Sequence, residues 1–258
     1  MCQEEPVFLG PFLQEVIRTR PESIVGVAIA GRRGAGERRR TWAQRVESLW
    51  IFWLIFEPVE FLHSLWLRTR ARVLGSRDRR SVEGLARRMD IPVVYPDAPT
   101  APAVADAIRA LEPDVVLNQS EILLDADVLA LPPYGFVNRH ASLLPAHRGR
   151  LGSFWTHADE EPHHGLTIHL VDEGIDTGAI LEQWEAAGVD PAWSFPRVLR
   201  SLNARAPALF WSAIDRLERG EAPTPQPEVP AEPPHRFPTL EEARRYRAAL
   251  AKRRARTR

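Results

Sequence analysis

The chain reads as an α/β protein with a Rossmann-like, mostly parallel sheet covered by helices on both faces, an aromatic helical insertion and a C-terminal extension. Over the first 140 residues short, continuous apolar runs alternate with amphipathic stretches. Crossover helices bury both faces of parallel strands, so such strands carry uninterrupted apolar runs. Past residue 160 the pattern changes to two strands joined by a turn and one long helix, followed by a proline-dense segment.

The elements follow in order. PVFLG, residues 6–10, reads as a short buried strand. PFLQEVIRTRP reads as a helix with a proline in its first turn that closes before the next proline. SIVGVAIAG is a second strand, SVEGLARRMD a helix, IPVVYPD a strand and APAVADAIRALEP a helix. DVVLNQS and YGFVNRH are two more strands, and GLTIHLVDEG and GAILEQWEA form the turn-linked pair. Residues 193–219 show helical spacing through Val198, Leu202, Leu209 and Ile214, with Pro207 as a kink point and Gly220 as the stop. From Ala222 to Pro238 prolines leave room only for an extended strap, and the basic stretch 240–258 reads as a solvated helix with a frayed end.

The insertion, about residues 31–80, contains WAQRVESLWIFWLIFEPVEFLHSLWLRTRARVLG. Glu57 and Glu60 break its apolar run short of the ~20 residues a spanning helix needs. The leading reading is a helical hairpin packed on the domain or in a homodimer interface; a surface for a greasy acceptor or a membrane ranks behind it.

Composition narrows the function classes. Lysine plus arginine and aspartate plus glutamate both number 34, so global charge favours neither nucleic acid nor an anionic membrane as the main partner. The single cysteine, Cys2, supports no disulfide framework, metal cluster or thiol nucleophile, and suits a reducing cytoplasm. The first ten residues lack the pattern of a secretory signal.

The chemistry concentrates in VNRHASLLPAHRGRLGSFW, residues 137–155, and GLTIHLVDEGIDTGAILEQ, residues 165–183. Asn138 and His140 lie two apart at the end of an apolar strand and share one of its faces. Strand carboxyl ends are where open α/β sheets bind ligands. Asp176 sits in a glycine-flanked turn able to reach the same cleft. An amide donor, an imidazole and a carboxylate suit direct acyl transfer without a covalent intermediate. Arg148 reads as a contact for an anionic ligand. Ser142 lacks the G-x-S-x-G elbow of a serine nucleophile. His147, His157, His163, His164 and His169 crowd together without HExxH spacing or a cysteine pair, so they read as packing or surface residues and no metal is expected.

The run N-R-H-A-S-L-L-P, then R-G, then D-E-G-I-D-T-G-A-I-L, resembles the folate-dependent formyltransferase family of glycinamide ribonucleotide, methionyl-tRNA and sugar-nucleotide amine formyltransferases. The resemblance implies a formyltransferase catalytic domain over residues 1–220, with 221–258 as strap and basic helix. It implies Asn138, His140 and Asp176 as catalytic residues and 10-formyltetrahydrofolate as the formyl donor, with the pterin between two loops. Ser120, Glu121, Ile122, Leu123, Asp172, Gly174 and Ile175 are then cofactor-site candidates, and Arg148 and Ser142 substrate contacts. The expected acceptor is a small-molecule primary amine such as a nucleotide-linked amino sugar. The tRNA enzyme, with its further C-terminal barrel, fits less well, and no nucleic-acid partner is expected. The alternatives are a formyltetrahydrofolate hydrolase and a membrane-peripheral, non-catalytic relative. In the expected mechanism Asn138 and protonated His140 stabilise the oxyanion, while Asp176 and a water move the amine proton. The insertion and the loop RLGSFW depart from the family pattern.

Overall fold

A computed structural model describes residues 1–2, 7–30, 41–96, 100–120, 122–227 and 232–256. The first helix, α1 (Leu9–Thr19), begins two residues earlier than its proline suggests. Val7 and Phe8 form a turn, so the strand expected over PVFLG does not form among its described residues; Pro6 lies outside them. Pro11 falls within the first helical turn, where a missing N–H costs nothing, and Phe8 packs against the insertion rather than in the sheet.

Cys2 takes the strand position instead, bridging in parallel to Ile29 on one side and Gln119 on the other. It joins a pair, β1 (Val27–Ala28) and β2 (Val93–Val94), to a four-stranded sheet. That sheet runs β3 (Val116–Leu117), β4 (Phe136–His140), β5 (His164–Leu170), β6 (Ile180–Ala186). The β1–β2 and β3–β4 pairs are parallel, whereas β5 is antiparallel to both neighbours.

Helices cover both faces, and β4 shows why. Val137 packs with α1, with α4 (Val82–Arg88) and with α8 (Phe195–Glu218). Phe136 packs with α5 (Ala101–Leu111) and α6 (Ala126–Leu129) on the other side. Strand alternation then puts Asn138 and His140 on the Phe136 face and Arg139 on the Val137 face. Helix α8 runs through Pro207 and stops before Gly220, whose φ is +70°.

The insertion forms the expected hairpin, α2 (Trp42–Phe56) and α3 (Pro58–Leu74). Thr41 and Gln44 make a reciprocal capping box at its start. Ile51, Ile55 and Phe56 pack onto Phe154 and Phe195, whereas Trp50, Leu62 and Trp66 are 55%, 58% and 55% exposed. No helix among the described residues is long and apolar enough to cross a membrane.

The C-terminal helix α9 (Leu240–Arg256) is not the solvated helix its charge suggested. Ala243, Tyr246 and Leu250 are buried in the cluster that holds α2. Glu57, at the hairpin joint, accepts hydrogen bonds from Arg247 at 2.9 Å and from Arg254, and Arg253 donates to His157 O at 3.0 Å. A helix this basic docks because the hairpin supplies a carboxylate between two of its arginines.

Candidate active site

Asn138 and His140 project from the last residues of β4, and register brings the partners to them. The antiparallel pairing sets His169 of β5 opposite Asn138 and Thr167 opposite His140. Asp176 arrives from the β5–β6 turn in the left-handed conformation, φ +55°, a region Asp and Asn enter more readily than most residues. Gly178 lets that turn close, since a Cβ there would sit 1.9 Å from Leu170 O.

The three side chains named from sequence converge. His140 Nδ1 is 3.4 Å from Asp176 Oδ2, and Asn138 Nδ2 is 3.4 Å from Asp176 Oδ1. The backbone N–H of Gly149 donates to Asp176 Oδ2 at 2.7 Å. Asp172, the rival carboxylate, instead accepts from Gly174 N and Thr177 Oγ1 and shapes the turn.

Backbone carbonyls fix both imidazole tautomers. A carbonyl only accepts, so His140 Nε2, 2.9 Å from His147 O, carries the proton and leaves the Nδ1 lone pair toward Asp176. Likewise His169 Nδ1 donates to Leu170 O at 2.7 Å, leaving Nε2 to accept from Asn138 Nδ2 at 3.3 Å. Gln119 Nε2 donates to Asn138 Oδ1 at 2.5 Å, so the amide's nitrogen is turned toward His169 and Asp176. Gly152 backs this arrangement, because a Cβ there would meet His140 Nε2 at 2.8 Å.

Burial pushes the His140 pKa down despite the Asp176 charge, so the resting imidazole is neutral at pH 7. For Asp176 burial works upward, but the hydrogen bonds its carboxylate accepts from Gly149 N–H and Asn138 Nδ2 outweigh it and hold the pKa at about 2. A depressed carboxylate pKa contributes stability above the unfolded value, and that stability is lost as pH falls toward the folded one. Asp176→Asn, which tolerates the same backbone, is expected to cost about 2 kcal/mol at pH 7. In urea titrations the gap from wild type should close between about pH 4 and pH 2; a gap independent of pH would show that charge is not its origin.

The remaining sequence candidates divide. Ser142 is 1% exposed, and its hydroxyl donates to Ala146 O, which places it inside the loop rather than facing the cleft. Arg148 donates to Glu232 O at 2.9 Å and Ile175 O at 3.4 Å, tying the strap to the Asp176 turn. Ser120 bonds Asn118 Oδ1 through its N–H and hydroxyl. Leu123 and Ile175 are 73% and 44% exposed, Ile122 packs partly under the α5–α6 cluster, and Glu121 lies outside the described residues.

Sequence reasoning passed over His169 and Gln119, which hold Asn138, and Gln226 of the strap, which donates to Asp176 O at 3.0 Å. Thr167 and His169 did leave a signal, two polar residues two apart in an otherwise apolar strand. His147 brings a ligand atom within 4.8 Å of Asp159 and Glu161, but both acids are exposed.

Comparison with known proteins gives the family. The family model described as formyl transferase matches residues 71–214, more than half of the chain. The chain therefore belongs to the formyl transferase family. A methionyl-tRNA formyltransferase from Synechococcus sp. (strain JA-3-3Ab) is 40% identical over 146 residues, 55% of this chain and 45% of that protein. Its counterpart from Trichlorobacter lovleyi is 45% identical over 102 residues, 39% and 32% of the two chains. The chain thus spans less than half the length of these curated relatives. Among solved structures, glycinamide ribonucleotide transformylase 1 from Symbiobacterium toebii shares the fold, with a TM-score of 0.54 at 19% identity over 82% of this chain and 84% of that one. HypX from Aquifex aeolicus in complex with tetrahydrofolic acid gives a TM-score of 0.51 at 18% identity, over 65% and 30%.

Proposed function

We propose that this protein transfers a formyl group from 10-formyltetrahydrofolate to a primary amine of a small-molecule acceptor, with Asn138, His140 and Asp176 as its catalytic residues. The observation that carries the reading is the meeting of amide, imidazole and carboxylate, drawn from β4 and the β5–β6 turn, within 3.4 Å of one another's partners. Family membership supports the class of reaction, and the folate bound to the structural neighbour HypX supports the donor.

In this mechanism the neutral amine attacks the formyl carbon and the carbonyl oxygen becomes an oxyanion. Asn138 Nδ2, whose orientation Gln119 holds, donates to it by exchanging its long hydrogen bond to Asp176 or His169 for one to the oxyanion. The neutral His140 takes up the proton the amine releases and becomes an imidazolium stabilised by Asp176. Collapse breaks the bond from carbon to the folate nitrogen, which receives a proton from His140 or a water.

A cavity of ≈ 470 Å³ at the N-terminal end of α1, with Phe8, Phe12, His63 and Arg200 in its wall, contains none of Asn138, His140 and Asp176 and does not bear on the acceptor. Methionyl-tRNA is the second reading, favoured by the names of the curated relatives. Incubation with 10-formyltetrahydrofolate and a panel of amino sugars, amino acids and nucleotide-linked amines should release tetrahydrofolate. Turnover only with methionyl-tRNA would move the assignment to the second reading, and formate release without an amine would move it to a hydrolase. A folded protein inert toward all of them would refute formyl transfer.

A further inference from the structure

From Leu49 to Phe56 helix α2 is apolar at every position, and helices that are apolar on all sides are normally buried on all sides. Only one side of α2 is covered: Ile51, Ile55 and Phe56 pack with Phe154 and Phe195, while Leu49 and Trp50 stay exposed. The same imbalance runs along α3, where Leu67 is buried and Val59, Leu62, Trp66 and Val73 are not. Of the thirteen large apolar residues exposed among the described residues, nine lie on this hairpin, between Trp42 and Leu74. The two helices pack side by side, with the Trp53 and Phe61 rings 5.5 Å apart, so these residues belong to one hairpin surface.

Its size sets this surface apart. Three of the nine residues are tryptophans, and Trp42 is 81% exposed. A large aromatic side chain buries ~150–250 Å², so the nine together leave on the order of 1,000 Å² of apolar area in water. The largest apolar patch on a typical monomer is ~300–600 Å², and each partner in a standard protein interface buries about 800 Å². The hairpin therefore exposes what one side of a stable interface needs.

The pattern selects the occupant. On α3, Val59, Leu62, Trp66, Thr69 and Val73 are spaced three and four apart, which is the seam of a helix that packs on another helix. The seam is centred on Trp66, with Val59 seven residues before it and Val73 seven after. A two-fold interface needs a surface that complements itself, and antiparallel pairing here sets Trp66 on the partner's Trp66 and Val59 against the partner's Val73. Charges beside the seam are already matched within the protomer. Arg70, whose guanidinium lies over the Trp66 ring, pairs with Asp78 at 2.9 Å, and Glu60 pairs with Arg200 at 2.7 Å. An anionic lipid surface suits the hairpin less well, because it would repel Glu47, which is exposed between Trp42 and Trp50.

We propose that the outer face of α2 and α3 is a two-fold interface with the same hairpin of a second copy of this chain, the two hairpins closing a four-helix bundle about Trp66. The interface is independent of the formyl-transfer reading.

Sedimentation equilibrium of the full chain at micromolar concentration should give twice the chain mass. Trp66→Glu places two like charges on the axis and should raise the dimer dissociation constant about thirtyfold or more, with the circular dichroism of the fold retained. Val59→Glu should dissociate the pair in the same way. Val59→Glu and Val73→Lys together should restore it, because each glutamate then meets a lysine across the axis, whereas within one helix the two positions are ~21 Å apart. Trp66→Cys should cross-link to the partner on oxidation, since the chain's own cysteine, Cys2, is buried. Val25→Glu, at an exposed position outside the hairpin, should leave the dimer intact. A monomeric wild type overturns the proposal, and a monomer that floats with phosphatidylserine vesicles gives the surface to lipid instead. A dimer that survives both Trp66→Glu and Val59→Glu places the interface elsewhere and overturns it too. Failure of the paired Glu and Lys variant to associate, with no cross-link through Trp66→Cys, overturns the antiparallel pairing.

Discussion

Replacing His140 with asparagine is expected to lower kcat by about 10²–10⁴-fold, the range a positioned proton-transfer group contributes, while the dissociation constant for the folate donor changes by less than about threefold. The asparagine still hydrogen bonds but takes up no proton near neutral pH, so the amine nitrogen keeps its proton as the bond forms. Only a transition-state interaction is lost, which lowers kcat and kcat/KM together. Because burial pulls the His140 pKa below its ordinary 6.5, the acidic limb of kcat/KM should lie below pH 6.5 and disappear in the variant. Stopped-flow turnover with fluorescence titration of the folate separates the two effects; equal losses in binding and turnover would assign His140 to binding.

Asn138→Ala is expected to cost about 10²–10³-fold in kcat, some 3 kcal/mol, by removing a preorganised oxyanion donor. Gln119 donates to the amide oxygen and His169 accepts from its nitrogen, which fixes the amide's orientation beside Asp176. Single-turnover formyl transfer at saturating acceptor is the measurement, and a loss confined to KM would overturn the oxyanion role. The His140→Asn, Asn138→Ala double variant should be far less than multiplicative, since both residues serve one tetrahedral species.

How far the site was readable depends on the range over which each contact is set. Asn138 and His140 share a face because strand periodicity is two, and the DEGIDTG turn marks Asp176 as a backbone-constrained carboxylate; both are local properties. His169 is different. Its approach to Asn138 depends on the register of an antiparallel pair 31 residues apart, which its alternation with Thr167 along β5 does not set. Gln119 and Gln226 reach the site from a strand end and a strap with no periodic signal at all.

The sequence by itself determined the apolar strands, the amphipathic helices, the insertion hairpin and the two segments that hold the candidate residues, because these follow from periodicity, turn residues and motif order. Tertiary structure alone decided that Cys2 rather than PVFLG fills the edge between β1 and β3, and that the basic α9 docks on Glu57. It also decided that burial pulls the His140 pKa down and that Arg139 is held by Gln119, Asn203 and the face of the Phe12 ring. Charge and pKa depend on which distant groups surround a side chain and how much water they displace, and neither is set by a residue's neighbours along the chain.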